Sequence, residues 1–563
     1  MKSCTIKRLL CLILSVLLLT GCNAGNPDMT NAPDSSGASV DTQAADTQPQ
    51  NAEKTAAALE QIALLGESPD DHYRVWYEVF VYSFCDSNGD GIGDIPGLIS
   101  KLDYLETLGV GGLWLMPVHP STTYHKYNVS DYYEIDPAYG TLEDFEMLMA
   151  ECEKRDIRVI LDLVVNHTGS EHPWFKEATA YLATLESGAQ PDPSVCPYVD
   201  YYFFKPDVGG NGWSQVTGTN WYYESQFSYD MPDLNLANEA LRQEIADVMR
   251  FWLEKGVAGF RLDAAKEFYS GSVDQNREVL SWLQETAVAI KPDVYLVAEV
   301  WDTFATITEY YQSGFMSIFN YPFGNSNGKI VAVLRAAGTS ATVATYATAL
   351  EKADKAYLGS NPNYVDAPFL SNHDVGRIAG FMSQDPAKTK LAGAMNLFMG
   401  GAAFLYYGEE IGMVGAGNDP SKRAPMYWNP ERNNGTTNPP PECDVPASYP
   451  YGSLAEQVNS DSSIYNYYRQ AVAIRQALPV ISHGRTTAET ALNIGCVSAQ
   501  RKIWGEESCI ILMNIDENAA KVDLSGYADW KLAASLSANG EAVSVSGSEL
   551  NLPAYGVAVL LPQ

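Results

Sequence analysis

Four short apolar runs, each ending in charged residues, constrain this chain more than any other feature. They read Arg158-Val-Ile-Leu-Asp162-Leu-Val-Val-Asn166-His167, Val257-Ala-Gly-Phe-Arg261-Leu-Asp263, Val294-Tyr-Leu-Val-Ala-Glu299 and Ala367-Pro-Phe-Leu-Ser-Asn-His373-Asp374. Runs of Val, Ile, Leu and Phe are what strands buried on both faces look like. A charge at the end of such a run is costly unless it is paired or put to work there. Several of them, on separate strands, predict a site at the C-terminal rim of a parallel barrel.

The intervening sequence supports that fold. Strand patterns at 75–81, 110–116 and 158–165 alternate with amphipathic helical patterns at 96–108 and 142–155. Further strands are expected at 258–263, 294–300, 317–321, 367–371 and 402–407, with a helix over 239–255. Repeated βα units predict an α/β fold, a (β/α)8 TIM barrel built from 71–166 and 236–478. The stretch between Asn166 and Ala258 is too long for one crossover helix, so 167–235 is expected to be a small inserted domain after strand three. From 479 to 563 the pattern changes to short alternating strands such as 508–513 and 557–561, predicting an antiparallel β-sandwich.

The chain opens like an export signal. Lys2, Lys7 and Arg8 precede an apolar stretch from Leu9 to Leu19 that is too short to span a membrane. Leu19-Thr20-Gly21-Cys22 resembles a bacterial lipobox, in which Cys22 becomes the lipid-bearing first residue. The expectation is an extracellular protein anchored to the bacterial cell membrane surface, touching the membrane only through that lipid. Residues 23–70 are rich in Ala, Asp, Thr, Ser and Gln and read as a flexible tether. A formal charge of −33 repels polyanions, so no nucleic acid partner is expected. Outside the signal, six cysteines show no CxxC spacing, which leaves zinc unsupported. Cys496 and Cys509 are open to either a disulfide or two free thiols.

Arg261 and Asp263 are two apart on one strand and so share a face. There the guanidinium is expected to depress the Asp263 pKa and hold an ionised nucleophile. Glu299 closes an apolar run, where desolvation raises a carboxyl pKa and suits a general acid. Two such carboxyls are the equipment of a retaining glycosidase. A second motif, Asp86-Ser-Asn88-Gly-Asp90-Gly-Ile92-Gly-Asp94, matches the first half of a calcium loop, though Gly97 stands where an EF-hand has Glu. Asp86, Asn88, Asp90 and Asp94 are expected to bind Ca2+ through side chains and Ile92 through its carbonyl, as a structural ion.

Together these motifs resemble the signature regions of the α-amylase family, glycoside hydrolase family 13, with Met231-Pro-Asp-Leu-Asn235 similar to its fifth region. The resemblance implies Asp263 as nucleophile, Glu299 as acid and base, and Asp374 as a third carboxylate gripping the sugar. It implies that Arg261, His167 and His373 line the cleavage subsite, that Tyr127 stacks under the sugar, and that Lys266 binds substrate. Asp162 is expected to orient the site, and Arg377 to pair with one of its carboxylates. Similar loops in the family bind calcium or magnesium, so Mg2+ is the other ion expected at Asp86–Asp94. Two positions depart from the family pattern. Lys266 is followed by Glu267 where many α-amylases have His, and Tyr124 stands where exo-acting members place an Asp. The implied activity is retaining endo-hydrolysis of α-1,4-glucosidic bonds in starch, amylose and maltooligosaccharides. The alternatives are an α-glucosidase, a neopullulanase-like hydrolase or a 4-α-glucanotransferase, and, in another class, a non-catalytic glucan-binding relative.

Overall fold

The computed structural model describes residues 71–563 apart from 337–339 and 447. The export signal with Cys22 and the tether at 23–70 lie outside the described residues. In chain order the strands that build the barrel and its insertion are β1 (Val75–Val79), β2 (Gly112–Leu115), β3 (Arg158–Leu163), β4 (Phe204–Pro206), β5 (Trp213–Gln215), β6 (Trp221–Glu224), β7 (Gly259–Leu262), β8 (Tyr295–Ala298), β9 (Ser317–Phe319), β10 (Val365–Ala367) and β11 (Ala403–Tyr406).

Eight of these form one parallel sheet in the order β10-β9-β8-β7-β3-β2-β1-β11. Its two ends meet. The Ala402 N–H donates to the Asp366 carbonyl at 2.7 Å, and the Phe404 N–H to the Pro368 carbonyl at 2.8 Å. A sheet closed this way needs strands that are apolar on both faces, and β1, β2, β7, β8 and β11 are buried along their whole length.

The strands are shorter than the apolar runs suggest, and this matters for the site. β10 ends at Ala367, because Pro368 has no N–H to extend the ladder. The fourth charged run therefore lies mostly beyond its strand, as a loop over the barrel mouth. The helix expected over 96–108 is two helices, Ile95–Ile99 and Leu102–Leu108, the first capped by Asp94 accepting from the Gly97 N–H at 2.6 Å.

Between β3 and β7 the chain leaves the barrel to form the small sheet β4-β6-β5 and the helix Pro173–Leu182. It is laced back to the rim by backbone bridges from His167 to Asp233 and from Tyr202 to Leu234. At the C-terminal end a five-stranded and a three-stranded antiparallel sheet enclose Leu492, Val497, Ile510, Leu512, Val522, Leu550, Leu552 and Leu560, a two-layer β domain. Cys496 and Cys509 are not joined by a disulfide, and neither are the other four cysteines of the described residues. The Cys496 thiol bonds the Asp516 carboxylate at 3.3 Å instead.

Candidate active site

The ends of the barrel strands converge on one buried guanidinium. Arg261, on β7, has no exposed side-chain surface. Its Nη1 donates to Asp162 Oδ1 at 2.6 Å and to Asp263 Oδ1 at 2.5 Å, and its Nη2 donates to Glu299 Oε2 at 2.8 Å. Asp162 belongs to β3, Asp263 follows β7 and Glu299 follows β8. Three strands thus deliver three acids to one cation. The shared guanidinium thus bridges Asp263 and Glu299, bonding one through each of its terminal nitrogens. Both carboxyls keep a little solvent access, 10% for Asp263 and 12% for Glu299.

The loop after β10 brings the third acid. Asp374 Oδ1 accepts from Arg423 Nη2 at 2.8 Å, and its Oδ2 lies 3.0 Å from His373 Nε2. His373 is wedged between acids, its Nδ1 2.5 Å from Glu78 Oε1 on β1. Tyr127 links the two halves. Its hydroxyl donates to Asp162 Oδ2 at 3.1 Å and lies 2.7 Å from His373 Nε2. The Tyr127 ring stacks on the His373 ring at 5.5 Å between centroids.

Charge balance sets the protonation. Burial raises the Asp263 carboxyl despite Arg261, raises Glu299 despite the same cation, and pushes Asp162 up to about 7. The expected depression of Asp263 is therefore overturned: one guanidinium divided among three buried acids does not offset the desolvation of each. Asp374 behaves oppositely. Burial acts to raise it, but His373 and then Arg423 outweigh that and hold it well below the usual carboxylate range. Burial acts to lower His373, but Asp374 and Glu78 outweigh it and lift the imidazole to about 10. At neutral pH the site thus contains an imidazolium and an ionised Asp374, beside three carboxyls that burial raises.

The other expected residues fall in two groups. His167 sits at the rim against Phe227, 5.5 Å between ring centroids. Its Nε2 has no protein partner and burial lowers its pKa to about 4, so it is neutral and available to a ligand hydroxyl. Lys266 is also at the rim, donating to the Trp301 carbonyl at 3.1 Å and facing Asp302 Oδ2 at 3.3 Å. Arg377 does not join the site. It donates to the Tyr407 carbonyl at 2.6 Å, packs over the Tyr406 and Tyr407 rings, and forms no ion pair among the described residues. It is the N-cap of the helix Ile378–Phe381, and its backbone N–H donates to the Gly415 carbonyl at 3.0 Å.

Arg423 fills the role expected of Arg377. It and Glu78 escaped the sequence reading, although Glu78 interrupts an apolar run and was in that sense visible. Arg423 sits in a polar stretch and left no signal.

The Alpha amylase, catalytic domain family model matches residues 78–484. The chain belongs to that family. As a member of the α-amylase family it is a glycoside hydrolase. It is 41% identical over 422 residues to Alpha-amylase 3 of Dictyoglomus thermophilum, covering 73% of this chain and 78% of that one. It is 29% identical to Oligo-1,6-glucosidase of Parageobacillus thermoglucosidasius, covering 81% and 93% of the two chains. The solved structure of Eubacterium rectale Amy13B superposes with a TM-score of 0.86 at 43% identity, covering 90% and 99% of the two chains.

Proposed function

We propose that this α-amylase-family enzyme cleaves internal α-1,4-glucosidic bonds of starch, amylose and maltooligosaccharides with retention. The observation that carries the reading is the sharing of Arg261 by Asp263 and Glu299. In the first step an Asp263 carboxylate oxygen bonds the anomeric carbon, the glycosidic C–O bond breaks, and the Glu299 proton passes to the leaving oxygen. In the second a water oxygen bonds the anomeric carbon, the Asp263 ester bond breaks, and the water proton returns to Glu299. The Asp374 carboxylate stabilises the positive charge that develops on the sugar, and Arg261 holds the reacting carboxyls in place. His167 and His373 supply polar contacts and Tyr127 an aromatic wall.

Internal cleavage is supported by Tyr124. Where exo-acting relatives use an Asp to close a pocket, this hydroxyl instead accepts from Arg423 Nη1 at 3.0 Å. Timed product analysis on amylose tests the reading. Mixed oligosaccharides are expected before glucose accumulates, and glucose as the first product would favour the α-glucosidase alternative. An Asp263→Asn variant should lose hydrolysis by several decades. Unchanged activity would remove the mechanism, and no hydrolysis by the wild-type protein would favour the non-catalytic reading.

Calcium is the ion that suits the Asp86–Asp94 loop. Its donors are hard oxygens, and Gly89 and Gly91 take the left-handed turns that fold it, at φ 85° and 92°. Asp86 and Asp90 already accept loop N–H groups at 2.7–3.1 Å. Among the described residues no three His, Cys, Asp or Glu side chains form a metal cluster, so any ion there also draws on Asn88 and the Ile92 carbonyl. Asp86, Asn88, Asp90 and Asp94 would hold the ion, which would stiffen the loop and take no part in bond breaking.

An extracellular, lipid-anchored placement rests on the Leu19-Thr20-Gly21-Cys22 sequence and on the size of the substrate, since polymeric starch does not cross a membrane. A Cys22→Ser variant should move the protein from the membrane to the soluble fraction.

A further inference from the structure

The two oxygens of Glu299 are not equivalent. Oε2 accepts two N–H bonds, from Arg261 Nη2 at 2.8 Å and from the Ala264 backbone at 3.0 Å. Ala264 adopts the left-handed backbone, φ 47°, a conformation that disfavours a Cβ and that aims its N–H at the carboxyl. With both lone pairs of Oε2 engaged by donors, the proton of neutral Glu299 belongs on Oε1. The group beside Oε1 is the Tyr321 hydroxyl, at 3.2 Å. Tyr321 follows β9, its ring is buried, and the half-exposed Trp301 ring stacks on it at 5.1 Å with a 14° interplanar angle.

We propose that Tyr321 is the positioning residue for the acid and base of this site, fixing Oε1 of Glu299 as the oxygen that gives and regains the catalytic proton. The proposal rests on the assignment of Glu299 given above. When Glu299 is neutral its Oε1–H can point either to Tyr321 Oη or to the leaving oxygen. When it is ionised, the Tyr321 O–H donates to Oε1 and keeps it from rotating onto Arg261. Trp301 covers the outer face of Tyr321 and limits where the phenol can swing. Tyr321 acts only through Glu299, so its effect should appear only where proton transfer limits the rate.

The test is a leaving-group comparison between the wild-type enzyme and Tyr321→Phe. The substrates are maltoheptaose, whose departing sugar needs protonation, and a 2-chloro-4-nitrophenyl maltotrioside, whose departing phenol does not. General acid catalysis is worth about 100-fold or more. Loss of its positioning is therefore expected to reduce kcat/KM on maltoheptaose by about 10- to 100-fold, and on the aryl substrate by less than about 3-fold. Equal losses on both substrates, or no loss on maltoheptaose, would overturn the proposal. A thermal unfolding midpoint for the variant within a few degrees of wild type separates a positioning defect from a folding defect. If the midpoint collapses, Trp301→Leu tests the same point: it should show the same leaving-group bias more weakly, and unbiased losses there would overturn it. If the wild-type enzyme cleaves neither substrate, the assignment of Glu299 fails instead.

Discussion

Replacing Glu78 by Gln removes one negative charge from the buried Glu78–His373–Asp374 line and leaves its shape intact. Glu78 Oε1 lies 2.5 Å from His373 Nδ1 and 3.3 Å from the His373 backbone N–H. A hydrogen bond to a charged group is worth about 1.5–3 kcal/mol, which corresponds to roughly one to two pKa units. His373, lifted to about 10 in the native enzyme, should therefore fall to about 8–9 in the variant. Asp374 still faces it at 3.0 Å, so the fall stops short of the ordinary imidazole value. The linkage sign follows from the raised pKa. The stability due to His373 protonation is full below its unfolded pKa of about 6.5 and is lost as pH rises through about 10. Burial raises Glu78 itself, so Gln also relieves a desolvation penalty, and the net loss at neutral pH should stay near 1–2 kcal/mol. The assay is kcat/KM on a maltooligosaccharide from pH 5.5 to 10, paired with thermal unfolding. Activity should hold near pH 6 and drop early on the alkaline side, because a neutral His373 no longer grips Asp374. The stability gap to wild type should be largest near neutrality and narrow above pH 10. A uniform activity loss at pH 6 and pH 9 would refute this account of the histidine.

Arg423→Ala removes bonds to Asp374, Tyr124 and the His373 carbonyl, and should lower kcat/KM by about 100-fold or more, with the larger part in kcat; a change below threefold in steady-state kinetics would show that Asp374 needs no such clamp. A chelator should lower the thermal unfolding midpoint without changing kcat at temperatures well below it, if the Asp86–Asp94 loop holds a structural ion; an unmoved midpoint in calorimetry counts against that ion. Lys266→Ala should raise KM by a few fold and leave kcat nearly unchanged, since Lys266 contacts the rim at Trp301, Asp302 and Glu267; a large loss of kcat would place it closer to the chemistry.

What the sequence discloses here follows from where each force is encoded. Burial on both faces of a strand is written into local composition, so β3, β7 and β8 and the acids that end them were legible. Arg261 and Asp263 were legible as a pair because a two-residue spacing on a strand fixes a common face. Arg377 misled. It was expected to pair with a site carboxylate, but its guanidinium donates to the Tyr407 carbonyl and packs over Tyr406 and Tyr407. The clamp came from Arg423, 49 residues from Asp374, through a contact that no local pattern records. The protonation of Asp263 was misread on the same ground. An adjacent arginine can be seen in the chain; that the same arginine also serves Asp162 and Glu299 cannot. Once one cation is divided among three buried acids, desolvation decides, and the raised carboxyls of Asp263 and Glu299 are its consequence. For a retaining enzyme that division is useful. A fully compensated pair would hold both carboxyls low, whereas a shortage of positive charge raises the carboxyl that must carry a proton to the leaving oxygen.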